Sequence, residues 1–166
     1  MTQGGATHFA QVITACESFG LYCLTGDLAV NCFVDPVYTL DADLVAVASS
    51  LPKLSVYRRE QGFRVEEHPH SVNVLPPESE LRIQFTTDAR YQAFLSRSVE
   101  AVVLGVNLRV ACLEDITRGK LWAYSDPHRR LSKRQKDELD LIRLAEAYPE
   151  LRSLYPKELQ EQLDRG

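Results

Sequence analysis

The sequence lacks a net positive charge, a long apolar run and any paired cysteine motif of a metal site. Its formal net charge is −4 over 166 residues, which argues against coating nucleic acid through bulk charge but not against a local basic patch. No stretch approaches the roughly 18 apolar residues that span a bilayer. The first residues also lack the basic and apolar segments of a secretory signal. We therefore expect a cytoplasmic protein that makes no membrane contact.

Cysteine is scarce, and repeats and low-complexity linkers are missing. None of the four cysteines forms a CxxC pair, and each lies in an apolar segment: Cys16, Cys23, Cys32 and Cys112. We expect them to be small buried hydrophobes without chemistry, in a reducing compartment. With 45% apolar and 25% charged residues, the chain has the composition of a globular domain. Its length fits one domain over residues 1–166.

Hydrophobic periodicity predicts a mixed sheet with helices packed on it, followed by a helical C-terminal part. The core is expected over about 8–111, and the helical part over about 112–166. The predicted helices lie at about 8–19, 27–33, 51–61, 88–97, 113–124, 130–147 and 156–164. The predicted strands lie at about 21–24, 41–48, 63–67, 71–75, 81–86, 101–104 and 108–111. This alternation indicates an α/β (α+β) fold.

Two acidic side chains lie at the start of a predicted strand that is otherwise apolar and reads as buried. Asp41 and Asp43 lie two residues apart, so they should point to one face, with their Cα atoms roughly 7 Å apart. Carboxylates that close repel each other unless a cation neutralises them. Magnesium is commonly held by one or two carboxylates together with substrate phosphates. The alternative is that both side chains face water at the rim of the sheet.

The strand before this pair ends in Leu24, Thr25 and Gly26 and turns into a predicted helix. A glycine at such a turn is suited to cradle a phosphate, because free backbone N–H groups point outward there. A phosphate seat beside a magnesium site is what a nucleoside triphosphate needs. This context favours the metal-binding interpretation of the acidic pair.

Two charged residues lie on helix stripes that should face the protein interior. Lys120 shares its stripe with Ile116 and Tyr124, and Asp137 shares its stripe with Leu141. A salt bridge between Lys120 and Asp137 is the simpler explanation. The functional alternative places both beside the acidic pair, where Lys120 contacts phosphate and Asp137 either orients it or receives a proton from the acceptor. The two explanations are compatible.

A basic run follows, from Arg129 to Lys136, in which five of the eight residues are basic. Such runs are usually solvated helix faces. Cations at a helix start oppose the helix macrodipole, and this mild cost favours a role in contacting the phosphates of a nucleotide or an RNA. Lys133 and Lys136 are the candidates for that contact.

These residues resemble the AbiEii-like nucleotidyltransferase toxins, within the polymerase-beta-like nucleotidyltransferase superfamily. The family has a glycine turn, a strand-borne Asp-x-Asp, an acid followed by Lys on one helix, and an Asp followed by an aliphatic residue on a later helix. The phrases GDLAVNCFVDPVYTLDADLV, LRIQFTTDARYQ and LEDITRGKLWAYSDPHRRLSKRQKDELDLIRLAE are similar to bacterial members, and the resemblance covers about 20–150. The matched positions are Gly26, Asp41 and Asp43, Glu114 to Lys120, and Asp137 to Leu144.

The resemblance implies a nucleotidyltransferase-like fold and magnesium-dependent transfer of a nucleotide from an NTP to an acceptor. In some toxins of this kind the acceptor is the end of a tRNA, and such toxins are often paired with a cognate antitoxin protein. Catalysis is assigned to Asp41, Asp43, Lys120 and Asp137. Mg²⁺ binding is assigned to Asp41 and Asp43, and nucleotide binding to Gly26, Asp27, Thr39, Lys133 and Lys136.

Two positions depart from the family pattern. Asp27 replaces the second Gly or Ser of the phosphate turn, and Gln84 stands where many superfamily members carry a third carboxylate. Asp27 has three possible roles: an outward helix cap, which we favour, a magnesium ligand, or a charge that repels the nucleotide. The departures leave open a second hypothesis, a catalytically degenerate relative that binds a nucleotide, an RNA or a protein partner.

Overall fold

The computed structural model of the protein describes residues 3–166 and their side chains from residue 6 onward. Its helices are α1 (Gln3–Phe19), α2 (Gly26–Val30), α3 (Leu51–Glu60), α4 (Leu113–Ser125), α5 (Leu131–Ala147) and α6 (Lys157–Arg165). Its strands are β1 (Tyr22–Thr25), β2 (Asp41–Ala46), β3 (Arg64–His68), β4 (Ser71–Leu75), β5 (Arg82–Thr86), β6 (Val99–Val103) and β7 (Val106–Val110). Short 3-10 segments span Ala48–Ser50, Ala89–Arg97 and Pro149–Leu154.

The seven strands form one mixed sheet in the order β3-β4-β5-β2-β1-β7-β6. β1 runs antiparallel to β2, whereas β2 is parallel to β5 and β1 is parallel to β7. The carboxyl end of β1 therefore lies beside the amino ends of β2 and β5. The predicted α/β fold with a mixed, helix-flanked sheet is confirmed.

The alternation of buried and partly exposed side chains in β2 and β5 follows from the pleat of the strands. Ala42 and Leu44 are fully buried, while Asp41 and Asp43 are partly exposed on the opposite face. In β5, Ile83 and Phe85 are fully buried. The sheet thus turns apolar side chains toward the core and leaves a polar face near the start of β2.

Three helices lie over the polar edge of the sheet. α2 follows β1 directly and packs against β2 and α4, and α4 packs against α5. α4 follows β7, the parallel neighbour of β1, after two residues. This connection brings residues of α4 and α5 to the strand ends that carry the acidic pair.

Several local expectations need correction. The helix expected to continue to about residue 33 ends at Val30, because the chain breaks into a turn ahead of Pro36. Residues Ala89–Arg97 form 3-10 turns rather than an α-helix. The hairpin between β6 and β7 turns at Leu104 and Gly105, which both have positive φ, as a two-residue hairpin turn requires.

The cysteines only partly match the expectation of burial. Cys16 and Cys23 are buried, Cys112 is half-buried, and Cys32 is exposed because α2 ends before it. Burial raises the pKa of the Cys23 thiol to about 12, which keeps it protonated. None of the helices within residues 3–166 has the length and apolarity that a membrane crossing needs.

Candidate active site

A cleft of about 330 Å³ opens where β1 ends and β2 and β5 begin. Strand pairing sets Asp43 directly opposite Thr25 on one side and Gln84 on the other. Asp41 is likewise paired with Arg82. The described residues that line the cleft are Thr25, Gly26, Asp27, Asp41, Asp43, Asn73, Arg82, Gln84, Thr86, Tyr91, Gly119, Lys120, Ala123, Arg129, Lys133, Lys136 and Asp137.

Gly26 and Asp43 fit together at the turn after β1. Gly26 has φ of +70°, in the left-handed region that favours glycine. A Cβ atom at this position would lie 2.1 Å from the Asp43 Oδ2 atom and 2.8 Å from the Asp43 Cβ atom. Both the backbone conformation and the adjacent carboxylate therefore exclude any larger residue at position 26.

Gly26→Ala is expected to destabilise the protein by about 3 kcal/mol, because left-handed strain of roughly 1–2 kcal/mol adds to a clash with a side chain that cannot retreat. Gly62→Ala is the matched control. Gly62 has φ of +85° but no atom within 4 Å of the added Cβ, so only the conformational strain should remain. Urea denaturation of both variants measures the difference, and equal losses would refute the close fit between Gly26 and Asp43.

The Asp43 carboxylate is part-buried and has no ion-pair or hydrogen-bond partner among the described side chains and backbone groups. Burial raises its pKa to about 7, and the nearby charges of Asp27 and Asp41 add to the shift against the opposing effect of Lys120. A carboxylate in this setting gains from any cation that approaches it. Asp43 is therefore the strongest candidate in the cleft for binding a cation.

Asp41, in contrast, already has cationic partners. Its carboxylate lies 2.8 Å from the Arg82 Nε atom and 3.7 Å from the Lys133 Nζ atom. Arg82 is largely exposed, so this pairing is partly screened by solvent. Asp41 remains available as a second oxygen ligand beside Asp43.

Lys120 is buried among three carboxylates. Its Nζ atom lies 2.5 Å from Asp27 Oδ1, 3.2 Å from Asp137 Oδ1 and 2.8 Å from Asp140 Oδ2. Burial lowers its pKa, but these three acids outweigh that effect and the net pKa is raised above the ordinary value. Lys120 is thus held fully charged at the wall of the cleft. The expected Lys120–Asp137 salt bridge is present, and both residues line the cleft.

Asp137 is engaged on both oxygens. Lys120 contacts Oδ1 and the Arg129 Nε atom lies 2.5 Å from Oδ2. These contacts place Asp137 where it can orient Lys120, the first of the two roles expected for it.

Asp27 does not cap a helix, and this corrects the preferred expectation. Among the described residues the N-cap of α2, Thr25, makes no side-chain capping hydrogen bond, and Asp27 lies in the first turn of the helix rather than at the cap position. Its carboxylate points into the cleft, where Oδ1 contacts Lys120 and Oδ2 contacts Lys136, each at 2.5 Å. Burial opposes ionisation, but the two lysines prevail and lower the Asp27 pKa to about 2.

Of the three remaining residues that were predicted to bind the nucleotide, two line the cleft and one does not. Lys133 and Lys136 lie on the wall of the cleft, each beside a carboxylate. Thr39 does not line it; its buried hydroxyl instead accepts a hydrogen bond from the Asp41 backbone N–H at 3.1 Å. Thr39 therefore shapes the start of β2 rather than touching the cleft.

Three polar residues at the site were not predicted from the sequence. Asp140 is buried and binds Lys120 and Arg143; its position three residues after Asp137, on the same helix face, was the available signal. Arg129 was noted only as part of the basic run. Arg82 had no signal in the sequence, because only strand pairing brings it to Asp41.

The donor atoms of the cleft suit magnesium. Asp41 and Asp43 offer carboxylate oxygens, the ligand type that Mg²⁺ prefers, and Asp43 is unpaired. Within the part of the chain that the structure describes, no three or more His, Cys, Asp or Glu side chains form a metal-binding group. A pair of carboxylates nevertheless matches the usual protein share of a magnesium–nucleotide site.

No family model matches the chain, and a search of curated proteins finds no match.

Comparison of structures does find likenesses. The antibiotic-resistance factor ANT(2'')-Ia matches with a TM-score of 0.61 and 17% identity, over 99% of this chain and 91% of that chain. The lincosamide antibiotic adenylyltransferase LnuA matches with a TM-score of 0.58 and 12% identity, over 89% of this chain and 98% of that chain. An antigenic nucleotidyltransferase-like protein from Paracoccidioides brasiliensis matches with a TM-score of 0.60 and 19% identity, over 97% and 86% of the two chains.

At these identities the likeness establishes fold rather than activity. It extends over nearly the whole of each chain and therefore includes both the sheet and the helices that carry the cleft. The chain has the mixed-sheet α/β fold of the nucleotidyltransferases.

Proposed function

We propose that the protein is a nucleotidyltransferase that moves a nucleotide from an NTP to an acceptor. One observation carries the proposal: in a nucleotidyltransferase fold, the unpaired Asp43 and its neighbour Asp41 share a cleft with a charged, buried lysine. An array of that kind supplies both a cation site and an anion site within one cleft. Transfer at phosphorus requires both.

The lysines supply the anion site. Lys120 is held rigidly by Asp137 and Asp140 at the wall of the cleft, so it loses little side-chain freedom when it binds a phosphate. Lys133 and Lys136 are half-exposed at the same wall and extend the positive charge. Positioning of this kind is the main contribution that a protein makes to phosphoryl and nucleotidyl transfer.

Asp41 and Asp43 are the proposed holders of Mg²⁺. When bound there, the ion supplies the positive charge that neutralises the phosphates and the leaving pyrophosphate. The residues of the chain determine its place: Gly26 leaves room for the Asp43 carboxylate, and the Thr39 hydroxyl fixes the backbone at Asp41.

For the acceptor we propose an RNA end, with tRNA as the first candidate. The support is the basic run: Arg129, Lys133 and Lys136 line the cleft, and Arg130, directly before α5, is exposed. Such a group favours a polyanionic acceptor. The role as an AbiEii-like toxin with a cognate antitoxin stays a prediction from the sequence resemblance.

A second candidate function, binding without transfer, is supported by the carboxylate partner that two of the lysines already have. Asp27 binds both Lys120 and Lys136, and Gln84 provides no carboxylate opposite Asp43. A protein with these features could bind a nucleotide or an RNA without transferring anything. The two candidates make different predictions in one assay.

The protein is expected to transfer label from an α-³²P-labelled NTP to an acceptor when Mg²⁺ is present. Each of the four NTPs is incubated with total RNA, with purified tRNA or with an aminoglycoside or lincosamide antibiotic. Asp43→Asn protein and EDTA serve as controls. Label on RNA that both controls abolish supports the proposal, and label on an antibiotic moves the acceptor to that class.

Absence of label in every arm contradicts the transferase proposal. Calorimetry with the same NTPs then decides the second candidate: magnesium-dependent binding without transfer supports a degenerate relative, and no binding rules out both functions.

A further inference from the structure

Asp27 holds the two lysines that a phosphate chain needs. Its Oδ1 and Oδ2 atoms bridge Lys120 and Lys136, and its side chain is only 16% exposed. Two oxygens that span two ammonium groups are the arrangement that adjacent phosphate oxygens would adopt in the same place. The carboxylate therefore lies where the anionic part of a ligand would bind.

The basic side chains that line the cleft are already paired with carboxylates. Among the described residues that line it, each of the five basic side chains has a carboxylate partner: Arg82, Lys120, Arg129, Lys133 and Lys136. A phosphate chain that enters the cleft therefore competes with a carboxylate for each cation that it contacts.

The pair of Asp27 and Lys136 is the easiest to separate. Lys136 is 37% exposed and has Asp27 as its only ion-pair partner among the described residues, whereas Lys120 also contacts Asp137 and Asp140. Once displaced, the Asp27 carboxylate remains next to Gly26, close to the unpaired Asp43, whose charge repels it. Displacement is consequently unfavourable unless another cation approaches the acids.

We infer that Asp27 is an internal competitor of the nucleotide phosphates for Lys120 and Lys136, so that it weakens nucleotide binding and ties it to magnesium. The inference rests on the proposed function, because the nucleotide as ligand comes from that proposal. The Asp27 carboxylate would compete with any oligophosphate for the two lysines. An inorganic oligophosphate without a nucleoside therefore tests the inference as well. Asp27 is on this account a determinant of ligand affinity, and its position on α2, directly after Gly26, fixes it in the cleft.

The test is Asp27→Asn, which keeps the side-chain shape and removes the charge. Inorganic tripolyphosphate and NTP are titrated into wild-type and variant protein by calorimetry, first in EDTA and then with Mg²⁺. In EDTA the variant should bind tripolyphosphate at least about tenfold more tightly, because the anion no longer displaces a carboxylate. Mg²⁺ should strengthen NTP binding less in the variant than in the wild type.

Three further variants test whether the gain in affinity is specific to the pair of Asp27 and Lys136. Asp164→Asn removes an ion pair with Arg152 at a largely exposed site outside the cleft and should leave both affinities unchanged. Asp27→Ser should change tripolyphosphate affinity in the same direction as Asp27→Asn. The double variant Asp27→Asn, Lys136→Ala should lose most of the gain, since Lys136 is the cation that becomes free.

Equal or weaker tripolyphosphate binding by Asp27→Asn and Asp27→Ser overturns the inference, whatever the labelling assay shows. Absence of label transfer by a wild-type protein whose Asp27→Asn variant still gains affinity for tripolyphosphate overturns the proposed transferase activity and leaves the competition standing. The two failures are therefore distinguishable.

Discussion

Asp43→Asn should abolish label transfer and yet raise the melting temperature of the metal-free protein at pH 8. The loss of transfer follows from removal of the unpaired carboxylate at the proposed cation site. The gain in stability follows because a part-buried charge beside Asp27 and Asp41 opposes folding. We expect about 1–3 kcal/mol of stabilisation, or roughly 3–10 °C in melting temperature for a chain of this size.

The effect should depend on pH with a definite sign. Burial raises the pKa of Asp43 from 3.8 to about 7 in the folded protein, so between these values the folded state binds more protons than the unfolded state. Stability therefore falls as the pH rises through that range. The advantage of Asp43→Asn should be absent below about pH 4, grow between about pH 4 and pH 7, and stay constant above pH 7.

Thermal melts from pH 4 to pH 8, in EDTA and in Mg²⁺, measure both the gain in stability of Asp43→Asn and its dependence on pH. Asp41→Asn is the comparison, because it removes the same charge but breaks contacts with Arg82 and Lys133; it should leave the melting temperature unchanged or slightly lower. Mg²⁺ should stabilise wild-type protein and not Asp43→Asn. A wild-type melting temperature that Mg²⁺ does not change, or an Asp43→Asn protein less stable than wild type at pH 8, would contradict the assignment.

Lys120→Ala should destabilise the protein by about 3–5 kcal/mol, the usual consequence of leaving buried charges without their partner. Asp137 is 2% exposed and Asp140 is 5% exposed. Asp140 keeps Arg143 and Asp137 keeps Arg129, but the lysine between the two carboxylates is lost, and they then repel each other. Transfer should be lost as well, because Lys120 is the proposed phosphate contact at the wall of the cleft.

Lys136→Ala separates the two effects. Lys136 is 37% exposed and pairs with Asp27, so its removal should change stability by less than about 1 kcal/mol. It should still weaken binding of an NTP in Mg²⁺ by about tenfold. Urea denaturation and calorimetry of both lysine variants give the comparison. A Lys120→Ala protein as stable as Lys136→Ala would show that the carboxylates around Lys120 do not depend on it.

The side-chain placements that agree with the structure depend on local periodicity. The two-residue spacing of Asp41 and Asp43 determines that they share a strand face, because successive side chains of a strand alternate. The helical spacing of Lys120 and Asp137 likewise determines that each faces inward. These relations hold within one element and need no knowledge of its neighbours.

The errors concern contacts between elements. Asp27 was expected to cap its helix, the ordinary local role of an acid at a helix start, but Lys120 and Lys136 attract it into the cleft from α4 and α5. Thr39 was assigned to the nucleotide, but the strand start turns its hydroxyl toward the backbone of Asp41. Neither outcome could be derived from spacing.

The sequence by itself determined which faces carry charge, the mixed α/β class and the order of most elements, because these follow from short-range periodicity and turn chemistry. Only the tertiary structure decided which charges meet: that Arg82 and Lys133 flank Asp41 and that Asp43 has no partner among the described residues. The physical reason is that ion pairing depends on distances of a few ångströms between elements far apart in the chain, and strand order and helix packing alone set those distances.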